Sequence, residues 1–406
     1  MLTRFRSRNL LDGRAFQRDP LPFLQRLGEQ GDVVFFKAGL SEFALIRAPD
    51  LIQRILTTED SRYGEGKWTL RGKYVMRDCM ITREGEAHRE RRKLMQPAFG
   101  KQALSGCGPE IVRRTLRLSN RWMDGQAFDI FPDLAALALE IVGQSLFSTE
   151  LEGQARELNR ALSTMLHAIP RLPLPRPRLM AARRLIARTA DAMSGGYLIS
   201  LLRQAGLSAE QIRDEIVSLL IASVDTTPKT LAWIFYLLGS HKDVEERVHA
   251  ELAQVSGNRE PTAEDISRLE YLNRVINETL RLYPPVHFID RRPLEDLDLN
   301  GTKVKAGTYL LLCPLLTHRD PRYFESPNEF RTDRWTQEET MKRPRFSFFP
   351  FGAGTHACIG AKLASLELAL ISATLAQRWR FRPAAGLLSD PSPQRLSFPM
   401  ILESRP

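Results

Sequence analysis

The sequence predicts a mainly α-helical fold with a minor β component, built as a single domain over residues 1–406. Three observations support this prediction. Helical spacing of apolar residues dominates from about residue 86 to 281. Runs rich in β-forming residues are concentrated between about residues 30 and 80. The 406-residue chain has no internal repeat and no long Gly/Ser linker, and its 43% of hydrophobic residues is ample for one large core.

The N-terminal part combines short strands with short helices. Val33 to Phe36 and Phe43 to Ile46 are runs of β-branched and other apolar residues, and a helical segment from Pro49 to Leu56 follows them. The Pro-rich run from Pro170 to Pro177 is flanked by helical patterning on both sides. It is therefore predicted to be an inter-helix loop rather than a domain linker.

A long helix is predicted from about residue 208 to 239. Ser208 and Gln211 form a capping box at its start. A helix of about 30 residues spans roughly 45 Å at 1.5 Å per residue, which is enough to cross a domain of this size. A second helix is predicted over about Ile266 to Tyr283, because the following Pro284-Pro285 cannot continue it.

The C-terminal part is predicted to hold a strand and a last long helix. The strand covers about Thr308 to Leu312, and the helix runs from about Cys358 to Trp379. Ile359, Leu363, Leu366 and Leu370 recur at helical spacing within that helix.

Composition restricts the class of protein. The four cysteines show neither a CxxC pair nor zinc-type spacing, which favours a reducing compartment over a disulfide framework. No stretch approaches the roughly 20 apolar residues of a membrane span, so we expect a soluble, cytoplasmic protein without a membrane anchor. The net charge is +10, but basic residues are dispersed among acidic ones and no nucleic-acid-binding pattern is present. The densest basic cluster, from Arg83 to Lys93, fits either a solvated helix face or a docking surface.

The most informative segment runs from Phe349 to Gly360. Gly352 and Gly354 permit a tight turn, and Cys358 then precedes an apolar helix whose N-terminus should lower the pKa of the thiol. Gly360 leaves room for a flat ligand. Taken alone, Cys358 could also be an ordinary buried cysteine.

The whole segment resembles the haem-binding loop of the cytochrome P450 family, Phe-Gly-x-Gly-x-(Arg/His)-x-Cys-x-Gly, at every fixed position. This resemblance implies a member of the soluble bacterial type with haem b between the long central helix and the C-terminal helix that follows the cysteine. It implies that Cys358 binds the iron and that Phe351, Gly352 and Gly360 contact the haem.

Further segments resemble family motifs in the family's order. Glu278-Thr-Leu-Arg281 resembles the Glu-x-x-Arg pair, whose side chains share one helix face. Phe330 to Trp335 resembles the segment that adds Arg334 to this pair, with Thr332 where proline is usual. The resemblance implies a buried structural triad of Glu278, Arg281 and Arg334.

The resemblance also implies the residues that hold the two haem propionates. Carboxylates inside a protein need cationic or hydrogen-bonding partners. His88 and Arg92 match a helix of the family that serves this purpose, and His356 matches the loop position that carries Arg or His. Arg291 matches the family's propionate arginine by its spacing to Asp296 and Gly301, with Arg292 as the alternative.

In the long helix, Ala222 to Thr227 resembles the family's oxygen-activating segment. The resemblance implies that Thr226 orients water at the bound dioxygen and that Asp225 connects it to solvent. Hydroxyls that bond back to the preceding helical turn are the alternative. Ser223 stands where the family has glycine, and we hypothesise that Pro228 opens the helix in its place.

The implied reaction is insertion of one oxygen atom of dioxygen into an apolar terpenoid, fatty or polyketide-like molecule. Electrons would come from a separate ferredoxin or flavodoxin with its NAD(P)H reductase, docking on Arg89 to Lys93 together with Lys362 and Arg345. The expected pocket combines the region from Trp68 to Ile81 with a set of apolar residues and one histidine: Leu219, Leu220, Ala222, Val286, His287, Phe288, Ile289 and Phe398. His287 either orients a substrate oxygen or faces a backbone carbonyl.

Two other functions compete with this one. The first is a haem-thiolate isomerase, dehydratase or peroxygenase, which Ser223 keeps open and the Asp225–Thr226 pair disfavours. The second is a haem-binding sensor without turnover.

Overall fold

The computed structural model describes residues 5–6, 16, 20–168, 177–384 and 395–405. The mainly α fold with minor β is confirmed, with 60% of residues helical. Residues 170–176 of the Pro-rich run lie outside the described residues, and the prediction of a single domain stays a prediction. No helix in the described ranges is long and apolar enough to cross a membrane.

The helices are α1 Pro20–Gly28, α2 Pro49–Gln53, α3 Lys67–Met76, α4 Gly85–Met95, α5 Lys101–Leu104, α6 Cys107–Ser119, α7 Phe131–Phe147, α8 Ala155–Leu166, α9 Pro177–Ala192, α10 Tyr197–Gln204, α11 Ala209–Ser240, α12 Lys242–Val255, α13 Glu270–Leu282, α14 Pro314–Thr317, α15 Gln337–Lys342 and α16 Ala361–Arg378. The strands are β1 Phe5–Arg6, β2 Val33–Ala38, β3 Ser41–Ile46, β4 Tyr63–Glu65, β5 Ala127–Asp129, β6 Ile289–Pro293, β7 Leu297–Leu299, β8 Thr302–Val304, β9 Tyr309–Leu312, β10 Trp379–Pro383 and β11 Pro399–Ser404.

The largest sheet brings distant parts of the chain together. Its strand order is β1-β2-β3-β9-β6-β4, with β3 and β9 parallel and β6 antiparallel to both of its neighbours. The register of β4 against β6 places Glu65 opposite Arg291. This sheet therefore delivers two opposite charges, from positions 226 residues apart, to one point of the molecule.

The central helix α11 is the main support of the helical part. Ser208 and Gln211 form the predicted capping box in both directions. The helix spans roughly 48 Å over its 32 residues and packs against α7, α8, α13 and α16. It is helical on both sides of Pro228, which has no N–H to donate to the Val224 carbonyl, so the hypothesis that Pro228 opens the helix stays a prediction.

Two predicted helix boundaries are wrong. Helix α13 begins at residue 270 rather than 266, because the Asp265 carboxylate accepts bonds from Arg259 and Thr262 and holds a separate short turn. Helix α16 begins at residue 361 rather than 358. The backbone N–H of Cys358 donates to the carbonyl of Phe351 at 2.8 Å, across the loop, and not within a helix.

The structure brings Glu278, Arg281 and Arg334 together in the interior. Arg281 donates to both Glu278 oxygens at 2.7 and 2.8 Å, and Arg334 donates to Glu278 Oε1 at 3.2 Å. The remaining Arg281 donors meet three backbone carbonyls, those of His318, Pro327 and Glu329. A buried ion pair is tolerated only when its remaining donors and acceptors are satisfied, and this arrangement meets that condition.

Candidate functional site

Cys358 lies in a loop that two glycines shape. Gly352 and Gly354 have φ of 67° and 69°, and a Cβ on Gly354 would lie 1.7 Å from the carbonyl oxygen of Leu56. Only glycine fits at such a left-handed position with backbone this close. The loop is thus locked against the segment after α2, and Cys358 is presented from a fixed backbone.

The Cys358 thiol faces an internal cleft. It is the exposed member of the four cysteines, whereas the other three are buried. Nevertheless, desolvation by the surrounding protein raises the pKa of this thiol above its ordinary value, although the Gly360 N–H and Arg92 act in the opposite direction. The Cys358 side chain is accessible and yet largely surrounded by protein. It therefore lines a cleft. The N–H of Gly360 at the start of the helix lowers this pKa as predicted, but burial outweighs its effect in the unligated thiol.

Space is left open beside the sulfur. A Cβ on Gly360 would meet nothing within 4 Å except the sulfur itself, at 4.0 Å. On the other side of the loop, Gly352 lies against Ile289 at the start of β6, with 3.5 Å from its ideal Cβ to Ile289 Cδ1. Phe351 is partly buried and packs on the main helical core. The three predicted loop residues Phe351, Gly352 and Gly360 thus frame the region around Cys358.

The four predicted propionate residues form one cluster. Arg291 and His356 both contact Glu65, at 3.2 and 2.8 Å. The rings of His88 and His356 are stacked with centroids 3.8 Å apart. Arg92 donates to the carbonyl of Ala357 at 2.6 Å. By contrast, Arg292 pairs with Glu84, so Arg291 and not Arg292 joins this cluster.

The electrostatics of the cluster favour an additional anion. Burial and the neighbouring His356 lower the pKa of His88 to about 4. Burial raises the pKa of Glu65, but the hydrogen bond from His356 and the charge of Arg291 outweigh this effect and leave that pKa below its usual value. Within the described ranges no carboxylate lies at ion-pair distance from Arg92, and burial lowers the pKa of this guanidinium. The cluster therefore holds more cationic groups than Glu65 alone neutralises.

Part of the central helix is accessible although its neighbours are buried. Ala222 is exposed and Thr226, one turn later, is partly exposed, while Leu219 to Ile221 and Val224 are buried. This places an accessible stripe of α11 on an internal cleft. The hydroxyl of Thr226 donates to the Ala222 carbonyl at 2.9 Å, and that of Ser223 to the Leu220 carbonyl at 2.9 Å. Both hydroxyls bond back to the preceding turn, as the alternative interpretation expected.

The predicted pocket residues divide into accessible and buried groups. Val286 is 43% exposed, and His287 and Phe288 are partly exposed. Phe288 packs against Trp68 with ring centroids 4.9 Å apart. Phe398 is fully buried against Trp233 and Phe131, so its assignment to the pocket is wrong. Leu220 is fully buried as well, so its assignment to the pocket is wrong for the same reason, whereas the assignment of Leu219 stays a prediction.

The assignment of Arg91 to the predicted basic docking cluster is wrong. Arg91 is buried and pairs with the fully buried Glu215 at 2.5 Å, because it turns inward from α4. Arg89, Lys93, Lys362 and Arg345 are exposed. The contact of Arg92 with Ala357 brings α4 next to the Cys358 loop.

Sequence reasoning missed Glu367, a fully buried acid on α16. Its carboxyl hydrogen-bonds Thr227 of α11, and burial raises its pKa to about 8. Its Oε1 atom has no hydrogen-bond partner among the described residues. The signal was present, since Glu367 shares the face of buried Leu363 and Leu370 by its spacing. An acid on that face links the two helices that flank the site.

A haem fits these residues on three observations. The Cys358 sulfur borders open space within the protein. His88 Nδ1 is buried and has no hydrogen-bond partner among the described residues. Arg92 and Arg291 bring two positive charges against the one carboxylate of Glu65, which suits binding of further carboxylates. The site therefore offers a candidate metal ligand and candidate partners for the two propionates.

Comparisons with known proteins agree with this fit. The family model described as cytochrome P450 matches residues 9–194 and 183–401. Cyclooctat-9-en-7-ol 5-monooxygenase of Streptomyces melanosporofaciens is 34% identical, covering 92% of this chain and 87% of the relative. Pentalenene oxygenase of Streptomyces avermitilis is 30% identical, covering 91% and 88%. The solved structure of a retinoic acid-bound cyanobacterial protein, CYP120A1, matches with a TM-score of 0.84 at 25% identity over 95% of each chain.

Replacement of Glu367 by glutamine should change the pH dependence of stability. The folded protein keeps the Glu367 proton up to about pH 8, whereas the unfolded chain releases it near its ordinary value of 4.5. Stability from this group is therefore present below pH 4.5 and lost as the pH rises to about 8. We expect the free energy of unfolding of Glu367→Gln, measured relative to that of the wild type, to increase by roughly 3 kcal/mol between pH 5 and pH 8.

Urea unfolding followed by circular dichroism at the two pH values measures this difference. The exposed Glu338→Gln on α15, which also removes one carboxylate, is the control for the loss of an acid outside the interior. Parallel curves for wild type and Glu367→Gln would mean that Glu367 is ionised in the folded protein.

Proposed function

The chain belongs to the cytochrome P450 family and is a monooxygenase of that family, and we propose that it oxidises an apolar small molecule of the terpenoid, fatty or polyketide-like class. The observation that carries the proposal is the Cys358 thiol, which is held in a glycine-shaped loop and accessible from an internal cleft. Relatives that oxidise terpenoids make this class of substrate the first to test.

We assign Cys358 as the ligand to the iron of haem b. Haem bound through a thiolate supplies the iron that activates dioxygen, and the sulfur favours cleavage of the O–O bond. Arg92 and Arg291 would neutralise the propionates and His356 would hydrogen-bond them, with His88 stacked on His356 to fix its ring. Glu65 holds Arg291 and His356 in place from the opposite strand.

The substrate side is assigned to the accessible stripe of α11. The small side chain of Ala222 leaves room for an apolar molecule beside Thr226. The Thr226 hydroxyl would release its bond to the Ala222 carbonyl and hold a water molecule in the cleft. Val286 and Phe288 provide apolar contacts on the facing segment. Asp225, which is 11% exposed, is the nearest acid in sequence and is assigned to proton supply.

The electrons are assigned to a separate acidic ferredoxin or flavodoxin with its NAD(P)H reductase. The exposed cations Arg89, Lys93, Lys362 and Arg345 suit an acidic partner. Lys93 and Lys362 are the centre of this surface, which we name the α4–α16 face. A partner docked there approaches Cys358 from the side opposite α11.

The source of the inserted oxygen atom tests the function. The purified protein is incubated with NADPH, ferredoxin, ferredoxin reductase and ¹⁸O₂. The probe is whichever apolar compound gives the largest spin-state change in a panel that includes pentalenene and cyclooctat-9-en-7-ol. We expect NADPH-dependent product with one ¹⁸O atom. Product without ¹⁸O would indicate an isomerase or dehydratase, and product formed only with peroxide would indicate a peroxygenase. NADPH consumption that no compound stimulates would indicate a sensor.

Neutralising the α4–α16 face should slow reduction without changing substrate binding. For Lys93→Gln with Lys362→Gln we expect reduction by ferredoxin to slow on the order of three- to tenfold at low ionic strength, because charge steering is lost. Stopped-flow absorbance measures the rate. The control removes two exposed lysines from strands β2 and β8, Lys37→Gln with Lys303→Gln, and should leave the rate unchanged. A loss of substrate affinity with an unchanged rate contradicts the assignment.

A further inference from the structure

A histidine outside the predicted site faces the acid of the central helix. His167 caps the C-terminal end of α8, which packs against α11. Its Nε2 atom lies 3.8 Å from Asp225 Oδ2. Among the described residues, His167 is the titratable side chain that lies at ion-pair distance from Asp225. No family motif noted in the sequence includes His167.

The hydrogen bonding of His167 assigns its tautomer. Nδ1 lies 2.7 Å from the carbonyl oxygen of Ser163. A carbonyl oxygen only accepts, so Nδ1 must carry a hydrogen in every charge state. Nε2 is then the ring nitrogen that gains and loses a proton, and this is the atom that faces Asp225. The helix end thus orients the exchangeable proton toward the acid.

The two side chains lie one behind the other between solvent and the interior, as their exposures indicate. The His167 side chain is 54% exposed, and that of Asp225 is 11% exposed. Asp225 precedes Thr226, the residue assigned to the oxygen site. The distance of 3.8 Å exceeds a direct hydrogen bond and is suited to one bridging water or a small closure. Lys229, one turn beyond Asp225, is buried and its charge is coupled to the same carboxylate.

We propose that His167 is a proton-transfer residue that acts through Asp225, carrying protons from solvent to the oxygen site. This proposal rests on the proposed role of Asp225. In each transfer the Nε2–H bond of His167 breaks, an O–H bond forms on Asp225 Oδ2, and Nε2 then takes a new proton from bulk water. The overall reaction, RH + O₂ + 2 e⁻ + 2 H⁺ → ROH + H₂O, consumes two such protons and takes its electrons from NAD(P)H through the redox partner.

A merely structural contact between α8 and α11 makes a different prediction. Such a contact would close the pocket, and its loss would weaken substrate binding. A proton path instead changes how electrons divide between product and hydrogen peroxide, because oxygen that is not protonated in time leaves in reduced form. The two roles are therefore separable by experiment.

The first experiment compares His167→Gln, His241→Gln and Asp225→Asn in the reconstituted system with the panel compound. His167→Gln keeps a hydrogen-bonding side chain of similar reach but cannot shuttle a proton. We expect the share of NADPH recovered in product to fall by about fivefold, with peroxide rising and a larger solvent deuterium isotope effect, since positioned proton donors contribute 10²–10⁴-fold and water replaces them in part. Substrate affinity from the spin-state titration should stay within about twofold.

The matched control is His241→Gln. His241 follows α11 as His167 follows α8, and its Nδ1 also bonds a carbonyl four residues earlier, that of Leu237, at 2.9 Å. Within the described residues it makes no ion pair with an acid. This variant should leave both product recovery and isotope effect unchanged.

A second readout needs no turnover. The protein is labelled with ¹⁵N-histidine and studied by NMR in its reduced, CO-bound form, which is diamagnetic. The signal of His167 is the one that disappears in His167→Gln. We expect Nδ1 to carry a hydrogen in all states, because its bond to the Ser163 carbonyl oxygen requires one. A neutral ring protonated at Nε2 overturns the proposal.

The outcomes also separate this proposal from the function on which it rests. If Asp225→Asn lowers product recovery but His167→Gln does not, the role of His167 is wrong and that of Asp225 stands. If neither variant lowers it, the role of Asp225 is wrong as well. If His167→Gln weakens substrate binding and leaves product recovery unchanged, His167 closes the pocket and carries no protons.

Discussion

The constraint on which the site depends is that a sulfur must carry a negative charge in a place where the protein disfavours it. Burial raises the pKa of the Cys358 thiol, and the Gly360 N–H and Arg92 compensate only in part. In the proposed function a haem iron bound to this sulfur supplies the missing stabilisation. The glycine-shaped loop, the open space beside Gly360 and the cluster around Glu65 suit a site that holds such a group.

The scaffold fixes this arrangement from two directions. The buried Glu278, Arg281 and Arg334 tie α13 to the segments on both sides of residue 330 and so support the approach to the Cys358 loop. The register of β4 against β6 places Glu65 opposite Arg291 and so fixes the cluster that contacts His356. On the other side, Glu367 joins α16 to α11 through Thr227. Each link uses a buried polar pair, which specifies one geometry where apolar packing alone would allow several.

Sequence alone predicted the features that depend on local pattern. The long central helix followed from its capping box and periodicity, and the Cys358 loop followed from its glycine spacing. Features that depend on long-range burial were missed or misplaced. Arg91 looked like its exposed neighbour Arg89 until Glu215 proved to lie inside, and Phe398 looked like a pocket residue until the core enclosed it. The contact of His167 with Asp225 joins two helices 58 positions apart, which no local pattern encodes.

The absorption spectrum of the reduced, CO-bound protein tests the central claim, thiolate ligation by Cys358, most directly. We expect Cys358→Ser to lose the long-wavelength Soret band of the wild type. Cys107→Ser should retain it, because Cys107 is a buried cysteine on α6, outside the Cys358 loop. An unaltered long-wavelength band in Cys358→Ser would contradict the account.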